Sequence, residues 1–469
     1  MSSVSKYLSF KPTPEQDELV GRFLDFLDSD NQVFIMSGYA GTGKTSMVLG
    51  LVKMLDEMDV PSVLLASTGR ASKVLQDKAL RECSTIHRQI YSLVTKIDER
   101  TKQDSDYKLK FRLTTNTADA QTIYFVDESS MIADTDSLNM NLEFGTGRLL
   151  TDFFKYLHGR KVVFIGDPAQ LPPVTYILSP ALNPTYIEKH FNRGVSFFEL
   201  TQVMRFGDNT GIAYNTSKLR LNISQNRFPL LKIKTTDCND ISIIRGQAGL
   251  AAKLYSIIKS EGIYSVIGIC FTNKMVNIIN SDVRKFLFPG KQAQINNGEL
   301  LIVVQNNYKF GISNGEHVEV IGSPGRFVER AGVKFVELEL RGHDVKGSYI
   351  FKTWVLSDFL FSEKASLDFE VEKMLLRDYI IRMRIKNIEL GSPEFYEGLL
   401  DDEFLNALRV KFGYCITCHK AQGGEWKNVV LALEPVLFMQ SPEVVYRWAY
   451  TAISRAREKL YILENKCLI

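Results

Sequence analysis

Hydrophobic residues recur along this chain in two periods. Apolar runs at 33–36, 63–66, 122–126 and 162–165 alternate with segments of helical spacing. The segment 45–55 is the clearest of these, with Val48, Leu51, Val52 and Leu55 on one face. Continuous apolar strands alternating with helices predict a parallel sheet covered on both faces. A second such block spans about 198–290, with 265–271 as its clearest strand. A third runs from about 411 to the end, with strands at 429–433 and 460–463.

Between these blocks the pattern changes. Short β segments at 300–305, 317–321, 334–340 and 349–355 are separated by Asn296-Asn297-Gly298, Ser313-Asn314-Gly315 and Ser323-Pro324-Gly325. Turn residues at that spacing predict a small β-barrel inserted into an α/β domain. The segment 363–408 is mostly helical and charged, an arm on the insert. A further departure lies at 90–113. Tyr91, Leu93 and Ile97 share one face, and Lys108, Lys110 and Arg112 alternate with Leu109, Phe111 and Leu113 across a polar connector at 98–106. Alternation about a polar connector predicts a β-hairpin with one basic face, although an ordinary surface ribbon would show the same pattern.

Composition narrows the class. A length of 469 residues suggests about three domains. With 45% hydrophobic and 24% charged residues, the chain can bury a large core, which excludes wholesale disorder. No apolar run approaches the ~18 residues of a spanning helix, and the first residues lack the apolar core of a signal peptide. No membrane partner is expected. Six cysteines in so long a chain do not make a disulfide scaffold, so a reducing, cytoplasmic setting is expected. The net charge of +3 decides nothing about nucleic acid, because a near-neutral total can hide a basic groove.

The candidate chemistry concerns phosphate. Gly38-Tyr39-Ala40-Gly41-Thr42-Gly43-Lys44-Thr45 matches G-x-x-x-x-G-K-[ST] between a strand and a helix. Gly38, Gly41, Thr42 and Gly43 would turn backbone N–H groups toward phosphates, which a helix N-terminus also favours. Lys44 would reach the β/γ-phosphates and Thr45 would hold Mg²⁺. The strand 123–126 ends in Asp127-Glu128. Asp127 would hold Mg²⁺, and Glu128 could take a proton from an attacking water, worth about 10²–10⁴ in rate. Gly166-Asp167-Pro168-Ala169-Gln170 follows a third strand, which places Gln170 at the sheet end where ligands gather.

Further segments resemble the superfamily 1 helicases, specifically the RecD-like group. Thr13-Pro14-Glu15-Gln16 is similar to its Q motif. The segment 66–73 and Ser84-Thr85-Ile86-His87 resemble its strand-contacting motifs. Leu200-Thr201-Gln202-Val203-Met204-Arg205 resembles motif IV, 416–425 motif V, and 450–457 motif VI. The order is the family's from Gln16 to Arg457. Cys418 and Ser67 are modest departures, since the family more often has a small or β-branched residue and a Pro or Ala there.

The resemblance implies two RecA-like P-loop motor domains in an α/β fold. A β-hairpin pin at 88–120 would lie in the first domain (1–197). An SH3-like β-barrel with a helical arm (293–410) would interrupt the second (198–292 and 411–469). It implies that Gln16 bonds adenine, Gln170 senses the γ-phosphate, Arg205 and Arg455 reach that phosphate from the second domain, and Glu425 contacts ribose. It puts Thr68, Lys73, His87, Thr417 and His419 on the strand, with Lys108 and Lys110 along the pin. The activity implied is that of a monomeric helicase using ATP and Mg²⁺, moving 5′→3′ on single-stranded DNA and opening fork DNA. An RNA or dual-substrate helicase, or a nucleotide-switched protein-binding module, are the alternatives. Which recombination or replication proteins it would meet is not legible.

Two segments carry competing signals. Cys415-Ile416-Thr417-Cys418-His419 spells the haem-attachment signature C-x-x-C-H, yet it overlaps the motif V-like segment and no export signal accompanies it. Asp401-Asp402-Glu403 reads as a helix start, where acids favour the dipole.

Overall fold

The computed structural model describes residues 6–8, 10–93, 109–136, 142–174, 176–204, 210–307, 309–344 and 347–469. Strands of the first 200 residues are β1 (Val33–Gly38), β2 (Ser62–Ala66), β3 (Cys83–Thr85), β4 (Tyr91–Leu93), β5 (Leu109–Leu113), β6 (Ile123–Asp127), β7 (Leu142–Phe144), β8 (Val162–Gly166) and β9 (Val195–Leu200). Six form one sheet in the order β3-β2-β6-β8-β1-β9, every pair parallel. Strands β1 and β8 are buried along their whole length, which is why they read as apolar runs. Their two faces feed separate cores, Phe34 and Met36 into one and Val33 and Ile35 into the other. β9 pairs with β1 as far as Leu200, so the first sheet extends past the boundary expected at 197.

The second half holds β10 (Ile241–Ile244) and β11 (Val266–Cys270), then β12 (Leu300–Val303), β13 (His317–Ile321), β14 (Phe327–Arg330), β15 (Val333–Asp344), β16 (Gly347–Leu356) and β17 (Val410–Phe412). It closes with β18 (Cys415–Thr417), β19 (Trp426–Leu431) and β20 (Ala456–Leu463). A second parallel sheet runs β10-β20-β19-β11-β18, assembled from chain on both sides of the insert. The insert is an antiparallel sheet in the order β14-β15-β13-β12-β17, with β16 on β15, packed on its own core around Leu301, Val320, Leu338 and Val355. Its last strand reaches Phe412, two residues beyond the expected limit of 410, because β17 pairs with β12. Arg284 ties the insert to the second sheet's helix Asn273–Leu287. Its Nη2 lies 2.8 Å from Glu299 Oε1, with both side chains buried.

The helical arm consists of Phe369–Ile385 and Pro393–Asp401. The acidic run expected to open a helix instead stands at a helix end. The chain leaves its helix at Asp401, where Asp402 accepts from Arg382 Nη2 (3.1 Å) and Glu403 accepts from Trp354 Nε1 (3.0 Å). Specific partners outweigh the dipole preference there.

β4 and β5 pair antiparallel, Tyr91 opposite Leu113 and Leu93 opposite Phe111. Tyr91 and Phe111 are buried in the first domain's core, as the apolar face predicts. β7 adds in parallel on β5, a third strand that the sequence pattern does not announce. The polar connector lies outside the described residues. None of the described helices is long and apolar enough to cross a membrane. All six cysteines are free thiols, and Cys415 Sγ stands 3.4 Å from Cys270 Sγ on the neighbouring strand, while Cys418 Sγ donates to Trp448 O.

Candidate active site

Residues 38–45 leave β1 and enter the helix Lys44–Glu57. Gly41 and Gly43 take φ of +84° and +85°, which side chains with a Cβ rarely adopt. The loop thereby turns sharply into the helix N-terminus, where backbone N–H groups and the dipole favour phosphate. Lys44 Nζ donates to Gly38 O (2.7 Å) and Tyr39 O (2.9 Å), so the ammonium is folded back over the loop. Gln16 lies beneath it. Its Nε2 donates to Thr42 O (3.2 Å) and its Oε1 accepts from Thr13 N (3.0 Å). Each of these atoms keeps a second donor or lone pair, which a bond to adenine would use.

Asp127 ends β6, and its Oδ1 accepts from Glu128 N (2.8 Å). Glu128 follows at φ +51°, a strained conformation for a residue with a side chain and one that functional sites retain. Withdrawal from water raises the Asp127 carboxyl above its usual range. The same withdrawal, then the charge of Asp127, pushes Glu128 up to about 7, while Arg455 and Lys44 pull it down.

The turn after β8 completes the cleft. Asp167 Oδ2 accepts from Tyr450 Oη (2.7 Å), and the same phenol oxygen accepts from Ala40 N (2.9 Å). One tyrosine thus joins the phosphate loop, the turn and the helix Pro442–Ile453. Leu171 N donates to Thr451 Oγ1 (3.0 Å), and Gln422 Nε2 donates to Leu171 O (2.8 Å). Gln170 is 4% exposed. Its Oε1 has no partner among the described residues, so it can take a donor such as a water.

Arg455 is buried at the start of the last strand. Its Nε donates to Thr451 O (3.0 Å), one Nη to Gly424 O (3.2 Å) and the other to Ser454 Oγ (2.9 Å), all neutral acceptors. Glu425 follows Gly424 in the turn before β19. A Cβ at neighbouring Gly423 would stand 3.7 Å from Glu128 Cγ, so this turn of the second sheet's domain packs against the first domain's carboxylate.

Among the described residues no cluster of three or more His, Cys, Asp or Glu could hold a metal. The Thr45 hydroxyl and Asp127 carboxylate are two hard oxygen donors. That suits Mg²⁺, which keeps waters and phosphate oxygens in its remaining positions.

Beside this cleft lies a cavity of about 800 Å³ between the first domain, the second domain and the insert. Thr68, His87 and His419, three of the residues expected on the strand, line it together with Lys420, Asn306 and Arg409, which the sequence did not single out. Thr68 Oγ1 also caps its helix by accepting from Ala71 N (3.2 Å). Burial pulls His87 down to about 4, so its ring is neutral, packed edge-on to Phe144. Lys73 lines a neighbouring cavity and is held by Glu316 Oε2 at 2.8 Å. Thr417 does not join the others and faces a separate crevice with Lys411 and Lys420. Arg205, Lys108 and the Lys110 side chain lie outside the described residues. Tyr450, Thr451 and Gln422 were missed as individual residues, although the motif V-like and VI-like segments contain them.

The family model described as AAA domain matches residues 11–233, and that described as UvrD-like helicase C-terminal domain matches 412–463. An uncharacterised protein of Methanocaldococcus jannaschii is 24% identical over 495 residues, covering 92% of this chain and 36% of its own length. The chain therefore spans about a third of that relative. The ATP-dependent DNA helicase dda of Enterobacteria phage T4 is 25% identical over 448 residues, covering 91% of this chain and 93% of its own. The RecBCD enzyme subunit RecD of Buchnera aphidicola is 23% identical over 480 residues, covering 93% and 71%. With a phosphate loop on one parallel sheet, Arg455 held at the turn of another, an AAA-domain match at one end and a UvrD-like helicase match at the other, these likenesses support a superfamily 1 helicase of the RecD-like type.

Proposed function

We propose that the chain is an ATP- and Mg²⁺-dependent DNA helicase that moves 5′→3′ along single-stranded DNA and opens duplex at a fork. The observation that supports this most is the cross-domain cleft. Lys44, Asp127, Glu128 and Gln170 come from the first sheet and Arg455 from the second. A strand-sized cavity opens alongside, between the same two domains. When bound, Mg²⁺ would neutralise phosphate charge. The protein's own groups do the rest. Lys44 leaves the loop carbonyls for the phosphates, and Glu128 takes the proton of the attacking water that Gln170 helps to orient. Arg455, and by the resemblance Arg205, meets the charge that develops on the transferred phosphoryl group. Because those arginines belong to the second domain, hydrolysis is tied to closure of the two domains.

The cavity walls suit a backbone-tracking grip, with hydroxyls, imidazoles and basic groups but no module for reading sequence. In this reading β4 and β5 are the base of the pin, and β12–β17 form the SH3-like insert over the strand. The test is ATP turnover with and without single-stranded oligo(dT). Stimulation by at least about 10-fold, as expected when strand binding completes the cleft, supports the helicase. Turnover indifferent to the strand would favour a nucleotide-switched protein-binding module.

A further inference from the structure

Arg70 is not explained by the roles assigned so far. It stands in the first turn of the helix Gly69–Ala79, partly buried, and its buried Nη1 has no hydrogen-bond partner among the described residues. A buried charged donor without an acceptor is costly, so such a group marks a place where an acceptor arrives. The guanidinium stacks on the Trp426 ring with its Cζ 4.1 Å from the centroid. A Cβ at Gly424 would stand 2.6 Å from Arg70 Cζ and Nε and 2.7 Å from Trp426 Cη2, so glycine leaves the space that Arg70 fills.

Arg455 grips the same turn from elsewhere. It donates to Gly424 O (3.2 Å), and its own carbonyl accepts from Trp426 N (3.0 Å). Two arginines thus clasp the segment 424–426. Burial first, and then the like charge of Arg455, pull the Arg70 guanidinium down to about 10. Arg70 lines the cavity that holds Thr68, His87 and His419, whereas Arg455 bears on Glu128 in the nucleotide cleft. The turn therefore separates the two sites, with one arginine facing each.

We propose that Arg70 is a positioning residue that couples strand occupancy to ATP turnover: a strand phosphate in the cavity accepts from its Nη1–H, and the resulting shift of the segment 424–426 re-aims Arg455. This rests on the reading of the cavity as the strand channel. The anion offsets the charge of Arg70 and so weakens its repulsion of Arg455. It also draws the stacked guanidinium along Trp426, and both contacts that this turn makes to Arg455 move with it. Fork geometry and ring stacking carry the effect, so lysine is not an equivalent side chain.

The experiment titrates the parent chain, Arg70→Gln and Arg70→Lys with oligo(dT) to saturation, so that strand affinity and stimulated kcat separate. Arg70→Gln removes the charge and the guanidinium fork and leaves a shorter polar side chain with two N–H donors. Thermal unfolding of each preparation checks its fold, and the lysine variant gives the reading if the glutamine variant is misfolded. In either variant the ratio of strand-saturated to strand-free turnover is expected to fall at least about 5-fold. A weaker strand affinity with full stimulation at saturation would make Arg70 a strand contact alone and overturn the coupling. Equal losses with and without strand would make it structural and overturn it too. A parent chain that oligo(dT) does not stimulate contradicts the helicase reading itself, and this inference with it.

Discussion

Arg455→Ala is expected to lower kcat by about 10³-fold or more while nucleotide affinity changes by less than about tenfold. The residue sits at the junction of the helix Pro442–Ile453 and β20, and three neutral oxygens hold its guanidinium beside the cleft. A cation donated from a facing domain contributes when charge spreads over the transferred phosphoryl group, and little to capturing the ground-state nucleotide. Steady-state turnover together with equilibrium binding of a non-hydrolysable nucleotide separates the two. Equal losses in kcat and affinity, or a loss in affinity alone, would remove Arg455 from the transition state.

Glu128→Gln is expected to bind ATP and to hydrolyse it about 10²–10⁴-fold more slowly. The substitution keeps the shape and leaves Asp127 and Thr45 in place, so only the proton acceptor is lost. Glu128 is held at a strained φ of +51° directly after the β6 carboxylate, which fixes it between the phosphate loop and Arg455. Single-turnover hydrolysis with pre-bound ATP reports the chemical step without product release. Near-parental rates would show that another group takes the proton.

How much of this was legible in the sequence follows from how each element is stabilised. β1, β6, β8 and β11 were readable because parallel strands buried on both faces must be apolar throughout. β3, β7, β17 and β18 have three residues each and no run to detect. They are strands because a longer neighbour offers an edge, which is tertiary information. β9 reads Val-Ser-Phe-Phe-Glu-Leu and is only partly buried, so it resembled the start of the second block. The acidic run at 401–403 misled because its partners, Arg382 and Trp354, lie 20 and 49 residues away.

The same division holds at the site. Residues 38–45 and Asp127-Glu128 were legible because each is contiguous and its chemistry is local. The bonds of Tyr450 to Asp167, 283 residues apart, and to Ala40, 410 residues apart, could not be read from spacing. Nor could the stacking of Arg70 on Trp426, since nothing local marks either residue. Thr68, His87 and His419 were found through the resemblance and do line one cavity. Thr417 has the same warrant but faces elsewhere, because the helix Cys418–Ala421 turns only some of its neighbours toward that cavity.

Unwinding of a short duplex carrying either a 5′ or a 3′ single-stranded tail, with ATP and Mg²⁺, tests the account most directly, with Lys44→Ala as the blank. The parent chain is expected to open the 5′-tailed duplex and leave the 3′-tailed one paired, and Lys44→Ala to open neither. Opening of the 3′-tailed duplex alone would reverse the direction of travel. No opening of either, with strand-stimulated turnover intact, would contradict the claim that this cleft drives strand separation.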